Sequence, residues 1–416
     1  MPGDPPGRDS GSTPGRGSGS GPGHDGGAGA DRGGSTGAGR FAGVGLIGAA
    51  EVPYRRRPEG VDTPGLLAAA FTAALRDAGV AHGEVDGLAV SSFTLSPDHA
   101  IDLGWKLGLT LRWCMDDALG GASGINMIQH AARAIQAGDA NVVAVVSGDH
   151  FGPGDFAGLV DNYNRTTRDH LAPLRFGGPN APFAMLTQRH MRAHGLERAD
   201  YGALCMAQRR WAAGNPGAVY RAPLTLEEYL SDRIVADPLC RFDCVPVVSG
   251  ADAVVLARGE DGIRIRALRC RYNPDHGEGD GLSTGLAGLA REFWAEAGVG
   301  PEAVDLASIY DDYPVMVLAQ LADLGFAPDG DVRRLLHERI ATGALPVNTS
   351  GGQLSAGQAG AAAGLHGVVE AVQQLRNRAG ARQVPGARLA LAAGYGMVQY
   401  RYGMCANAAL LEAPAA

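Results

Sequence analysis

Long apolar runs are missing from this 416-residue chain. Nothing approaches the ~20 consecutive apolar residues that a membrane-spanning helix needs. The start also lacks the basic-then-apolar pattern of a secretory signal, so a cytoplasmic protein without membrane association is expected. An excess of basic charge is missing too: Lys and Arg number 36 against 44 Asp and Glu. With no basic block outside the N-terminal tail, nucleic acid is not an expected partner. Cysteine is sparse: Cys114, Cys205, Cys240, Cys244, Cys270 and Cys405 are scattered, and only Cys240 and Cys244 lie close in sequence. That pattern predicts reduced thiols and no metal centre.

What is present begins with a tail. Residues 1–40 are mostly Gly, Pro, Ser, Asp and Arg and hold too little apolar material to offset the entropy of ordering them. A folded body is expected from Phe41, opening with the apolar run Val44-Gly-Leu-Ile-Gly-Ala-Ala. An α/β rhythm follows. Thr63-Pro64 starts a helix carrying Leu66, Leu67, Phe71 and Leu75 and ending near Gly79. Val85 to Val90 reads as a strand, Gly120 to Gly124 opens a helix with Ile125, Ile128 and Ile135 on one face, and Asn141 to Gly148 reads as a strand buried on both faces.

The order then recurs. A helix from Leu286 to Ala297 precedes a strand from Val304 to Tyr310. The Gly- and Ala-rich stretch Asn348 to Gly364 opens a helix with Leu365, Val368, Val369, Val372 and Leu375 at three- and four-residue spacing. Ala387 to Gly394 forms the closing strand. Two such units imply a duplicated fold whose glycine-rich helix starts meet near a pseudo-two-fold axis. Helix N-termini offer unpaired N–H groups and the positive end of a dipole, which suits an anionic ligand or a developing oxyanion.

At this point a resemblance becomes specific. Gly121-Ala-Ser-Gly124, Asn215-Pro216, Tyr220-Arg221-Ala-Pro, Ala236-Asp-Pro-Leu239, Pro246 to Leu256, Tyr310-Asp-Asp-Tyr313, Leu324-Gly-Phe and Leu345-Pro-Val-Asn-Thr-Ser-Gly-Gly352 stand in the order and spacing of the thiolase superfamily. The chain most resembles the sterol-carrier-protein-x type of thiolase and the thiolase-like lipid-transfer proteins, from about Phe41 to Glu412. The resemblance implies an α/β thiolase fold, a duplicated five-layer αβαβα arrangement. Residues 41–260 would form the first half, with an inserted loop domain at about 152–236, and 261–416 the second. It also implies a homodimer, built on the strand from Asn141 to Ser147 as an edge, and a small partner subunit with a zinc ribbon and an OB-fold.

The departures from the family pattern point to the chemistry. Gly121 stands where thiolases carry the nucleophilic cysteine, and glycine forms no acyl-enzyme. Gln358, in Gly357-Gln358-Ala359, replaces the histidine of a Gly-His-Pro motif; an amide donates a hydrogen bond but takes no proton at neutral pH. His366, eight residues on, reads as packed or exposed within its helix. Tyr310 stands where the family has an oxyanion-hole residue, and Tyr395 lies near the position of the family's second cysteine. A site that polarises a thioester without a nucleophile suits aldol or retro-aldol chemistry. In that reading Tyr310, Gln358, Asn348 and Asp311 are catalytic, and Gly121, Ser123, Gly351, Gly352 and Tyr395 line the substrate or oxyanion. An acyl-CoA thioester is the substrate and no cofactor is bound permanently. Two alternatives stand beside it: a thiolase or acyltransferase using a relocated nucleophile, Cys114 or Cys405, and a non-catalytic lipid- or CoA-binding subunit.

Overall fold

The computed structural model describes residues 39–174, 178–274, 281–399 and 402–414. The tail anticipated for residues 1–40 therefore lies almost wholly outside the described residues. The described strands are β1 (Val44–Arg55), β2 (Gly87–Ser91), β3 (Trp113–Asp116), β4 (Val142–Asp149), β5 (Ile234–Ala236), β6 (Leu239–Cys240), β7 (Ser249–Arg258), β8 (Ile263–Tyr272), β9 (Leu306–Ile309), β10 (Leu389–Gln399) and β11 (Tyr402–Glu412). Nine of them form one mixed sheet in the order β3-β2-β4-β7-β1-β8-β11-β10-β9, and β5 and β6 pair separately. The join between β1 and β8 is slight, two residue pairs at Gly45 and Leu46. The sheet is thus two sheets hinged at that join, β3-β2-β4-β7-β1 and β8-β11-β10-β9, and the turn from β7 to β8 leads from one into the other.

The internal repeat is visible in the pairing. In the first sheet β2 runs parallel to β3 and β4, and β4 runs antiparallel to β7. In the second, β9 runs parallel to β10 and to a bridge at Val347, and β10 runs antiparallel to β11. Each sheet is covered on both faces, which explains strands that are apolar at nearly every position. Val143 and Val145 on β4 face a central cluster with Ile125, Ile128, Val368 and Val372, whereas Ala144 and Val146 face an outer cluster with Leu67, Phe71 and Leu88. Leu391 and Leu410 of the second sheet face a further outer cluster with Phe293, Val317 and Leu321. The result is five layers: helix Thr63–Ala78, a sheet, the central helices Ser123–Ala137 and Ala363–Leu375, a second sheet, and helices Ala287–Ala297 and Pro314–Asp323. Each large aliphatic side chain buried there contributes roughly 1.5–3 kcal/mol.

The central helices meet at their glycine-rich starts. A Cβ at Gly124 would stand 2.8 Å from Leu365 Cα, and one at Gly364 would stand 2.8 Å from the Gly120 carbonyl oxygen. Only glycine on both sides lets the two N-termini touch. One expectation is corrected here. Asn141 to Ser147 is no sheet edge, because β4 lies between β2 and β7; the edge of the first sheet is β3. Strand β4 pairs along its length on both sides, so its N–H and C=O groups are already used within the chain.

Candidate active site

Tyr310 follows β9 directly and is pinned from three directions. Its N–H donates to Ala393 O on β10 at 2.9 Å, its carbonyl accepts from Gln320 Nε2 at 2.8 Å, and the preceding residue Ile309 is bracketed by Asn348. The Asn348 amide accepts from Ile309 N at 2.7 Å and donates to Ile309 O at 3.0 Å, with its own backbone left-handed at φ 53°. Asn348 thus stiffens the segment that carries Tyr310.

The Tyr310 ring occupies the volume that any side chain at position 121 would need. A Cβ on Gly121 would fall onto Cε2 and Cζ of that ring and against the Tyr395 carbonyl oxygen. Absence of a nucleophile at 121 and presence of a tyrosine at 310 are therefore one structural fact. Gln358 Nε2 donates to the Tyr310 hydroxyl oxygen at 2.9 Å, which leaves the phenolic hydrogen free to point elsewhere. Gln358 is itself held by its backbone, with N–H to Pro246 O at 2.9 Å and C=O accepting from Val248 N at 3.2 Å.

Tyr395 packs edge-on against Tyr310, with ring centroids 5.3 Å apart, and donates a short hydrogen bond from its hydroxyl to Asp312. Burial, then the negative charge of Asp312, keeps both phenols well above their ordinary pKa, so both are neutral donors at pH 7. Asp312 is itself raised to about 7 by burial, with the Tyr395 hydrogen bond working against the rise and the charge of Asp311 adding to it.

Asp311 turns the other way. It accepts from Gln353 N at 2.8 Å, Leu354 N at 3.3 Å and Gln208 Nε2 at 2.9 Å, and burial raises it to about 7 despite these bonds. Its carboxylate fills the place a Cβ at Gly352 would take, and Gly351 and Gly352 have φ of 99° and 60°. These two glycines shape the turn that lets Asp311 hold the start of the short helix Gly352–Ala356. Tyr310, Asp312 and Gln358 keep partial exposure, while Asp311, Asn348 and Tyr395 are buried.

The region 152–236 reaches this site through Gln208 and through Phe183, which stacks on Tyr313 at 4.3 Å. Beside Tyr395 a small cavity is lined by Leu186, Val315, Met316 and Thr284 among others. A second cavity behind Tyr310 is lined by Gly121, Ser308, Ser350, Gln353 and His366, and Ser308 Oγ and Gln353 Oε1 there have no hydrogen-bond partner among the described residues.

Other sequence candidates fall elsewhere. Cys114 sits on the edge strand β3, and burial, then Asp116, raises its thiol. Cys405 is fully buried on β11 opposite Gly396, and burial pushes its thiol far up. Ser123 is buried at its helix start with Oγ unpartnered. Asp312 was visible only as one of the paired carboxylates after Tyr310, without its partner Tyr395 from a distant strand, and His366 was set aside. That histidine is buried and lines the rear cavity, with Nε2 at 2.8 Å from Ser350 Oγ.

Residues 276–405 match the family model described as thiolase C-terminal domain-like. The chain is 34% identical to the 17-hydroxy-3-oxo-4-pregnene-20-carboxyl-CoA lyase of Mycobacterium tuberculosis, over 75% of this chain and 86% of that one. It is 29% identical to the steroid side-chain-cleaving aldolase of Thermomonospora curvata, over 75% and 85%. Among solved structures, the Ltp2-ChsH2(DUF35) aldolase superposes with a TM-score of 0.75 at 24% identity, covering 89% of this chain and 98% of that one.

Proposed function

Because the chain belongs to the thiolase superfamily, and within it to the sterol-carrier and aldolase branch, we propose that it is an acyl-CoA lyase cleaving a steroid side chain by retro-aldol chemistry. The observation that carries this reading is the Tyr310 ring standing in the space of a side chain at Gly121. The substrate would be a CoA thioester with a hydroxyl on its β-carbon. A base removes the hydroxyl proton, the C–O bond becomes a ketone, and the bond between the α- and β-carbons breaks. Its electron pair moves into the thioester as an enolate, which is then protonated at the α-carbon to release a shortened acyl-CoA. Nothing in that sequence needs an acyl-enzyme.

Tyr310 is the hydrogen-bond donor to the enolate oxygen and the proton source for the α-carbon, with Gln358 orienting it, and it regains its proton from the Tyr395–Asp312 pair, which has taken up the substrate proton. The Tyr395–Asp312 pair is the proton acceptor: the substrate proton passes to the Tyr395 oxygen as the Tyr395 proton passes to Asp312. A cysteine-dependent acyltransferase is the less favoured reading, since burial disfavours the thiolate at both Cys114 and Cys405. The assembly proposed is a homodimer through the β3 edge, joined by a partner subunit of the kind present in the Ltp2-ChsH2(DUF35) aldolase. Among the described residues no helix is long and apolar enough to cross a membrane.

The test is turnover of a 17-hydroxy steroid 20-carboxyl-CoA by the wild-type chain and by Tyr310→Phe, each with and without the co-expressed partner. The expected loss in kcat for Tyr310→Phe is roughly 10²- to 10⁴-fold with unchanged folding. Unchanged turnover would remove Tyr310 from the mechanism.

A further inference from the structure

Three donors outside the Tyr310 site converge on one buried point. Glu51 on β1 and Asp252 on β7 are register partners across the two strands, so both carboxylates leave the same face of the sheet. His366 comes down on them from the central helix Ala363–Leu375. His366 Nδ1 lies 3.1 Å from Glu51 Oε2 and 4.0 Å from Asp252 Oδ2, and one donor atom of each residue lies within 4.8 Å of the other two. Asp252 is 0% exposed and His366 4%. Two carboxylates thus share one imidazole as their only ion-pair partner among the described residues. Asp252 Oδ1 has no hydrogen-bond partner among the described residues. A buried carboxylate oxygen without a donor is costly, and one imidazole serves two carboxylates here.

We propose that Glu51, Asp252 and His366 form a binding site for a divalent transition-metal ion, with zinc the natural probe. Ligand atoms about 2.0–2.1 Å from a tetrahedral zinc ion stand roughly 3.3–3.5 Å apart, and the two ion-pair distances bracket that value. Two carboxylates and a neutral imidazole balance a dication, and the set suits zinc or manganese over thiolate-seeking ions. The outer bonds are also in place. His366 Nε2 meets Ser350 Oγ at 2.8 Å, a contact that orients the ring with Nδ1 toward the carboxylates. The Tyr54 hydroxyl donates to Asp252 Oδ2 at 2.6 Å and stands 3.1 Å from His366 Nδ1. An ion here would clamp β1 and β7 of the first half to the central helix of the second. Through Ser350 it would also brace the turn at Gly351 and Gly352. The competing occupant of the same space is a proton on His366.

The full-length protein is stripped with EDTA and then titrated with Zn²⁺ and Co²⁺, reading metal content, melting temperature and visible absorption. The proposal expects about one ion per chain, a melting temperature that falls on stripping and recovers with metal, and a Co²⁺ spectrum of nitrogen and oxygen ligands. Glu51→Gln and Asp252→Asn should each lose the Co²⁺ signal, whereas Cys114→Ser with Cys405→Ser should keep it. If the carboxylate variants fail to fold, the wild-type Co²⁺ spectrum decides alone. Substoichiometric binding, a thiolate charge-transfer band, or a melting temperature indifferent to metal would overturn the site.

Discussion

At position 121 one missing methyl group decides what chemistry the site can hold. The Tyr310 ring lies where a Cβ would go, so Gly121→Ala should push that ring aside and lower kcat by about 10²-fold, the cost of misplacing a catalytic group by about an ångström. Gly121→Cys should behave no better and should not accept an acyl group, which intact-mass measurement after incubation with acyl-CoA would check. The pair Tyr395–Asp312 carries a pH prediction. With Asp312 raised to about 7 by burial, a base role requires kcat to rise through neutral pH and level off above it. Asp312→Asn should remove that limb from the pH–rate profile. The stability sign is opposite to that of a salt-bridged carboxylate. A folded-state value above the unfolded one means the native chain binds the proton more tightly, so Asp312 lowers stability as pH rises from about 4 through about 7. At this scale Gly121, Tyr310 and Gln358 were legible, because each replaces a residue whose chemistry is known. Asp312 and the Glu51, Asp252 and His366 cluster were not, since their partners arrive from strands and helices far away in sequence.

Among elements, the glycine-rich stretch divides more finely than its composition suggests. Its helical promise is interrupted at Gly357 and Gln358, whose backbone bridges to Val247, and the long helix starts only at Ala363. Spacing reveals the apolar face from Leu365 to Leu375 but not this break, which is made by a tertiary partner. What anchors the turn before it is Glu370, 3% exposed, accepting from Thr349 Oγ1 at 2.6 Å and Gln374 Nε2 at 2.9 Å, and pairing with Arg382 at 2.9 Å. Glu370→Gln leaves Arg382 without its charge partner and should cost about 3 kcal/mol in urea unfolding. An unchanged midpoint would mean the pair contributes little. The starts of β1, β2, β4, β9 and β10 were legible to within two residues because strands covered on both faces are apolar throughout, but β1 and β10 each run five residues past the apolar run. Strand order was not, and so β4 was mistaken for an edge.

For the whole molecule, duplication was readable in the repeated order of strand, glycine-rich turn, helix and strand, and the pairing of each sheet repeats it. Trp105 is 81% exposed and Ile101 62% on helix Ala100–Lys106, which packs beside the edge strand β3. If two copies join along that edge, Trp105→Asp should shift the protein from dimer to monomer in light scattering, and an unshifted mass would exclude the face. The central claim is carbon–carbon cleavage without an acyl-enzyme. Its most direct test is mass spectrometry of both small molecules and intact protein during turnover of a 17-hydroxy steroid 20-carboxyl-CoA with the partner subunit present. Cleavage without an acyl-enzyme should give a 17-ketosteroid and a shortened acyl-CoA in equal amounts, with the protein mass unchanged. Acylated protein, or no cleavage under any of these conditions, would contradict it.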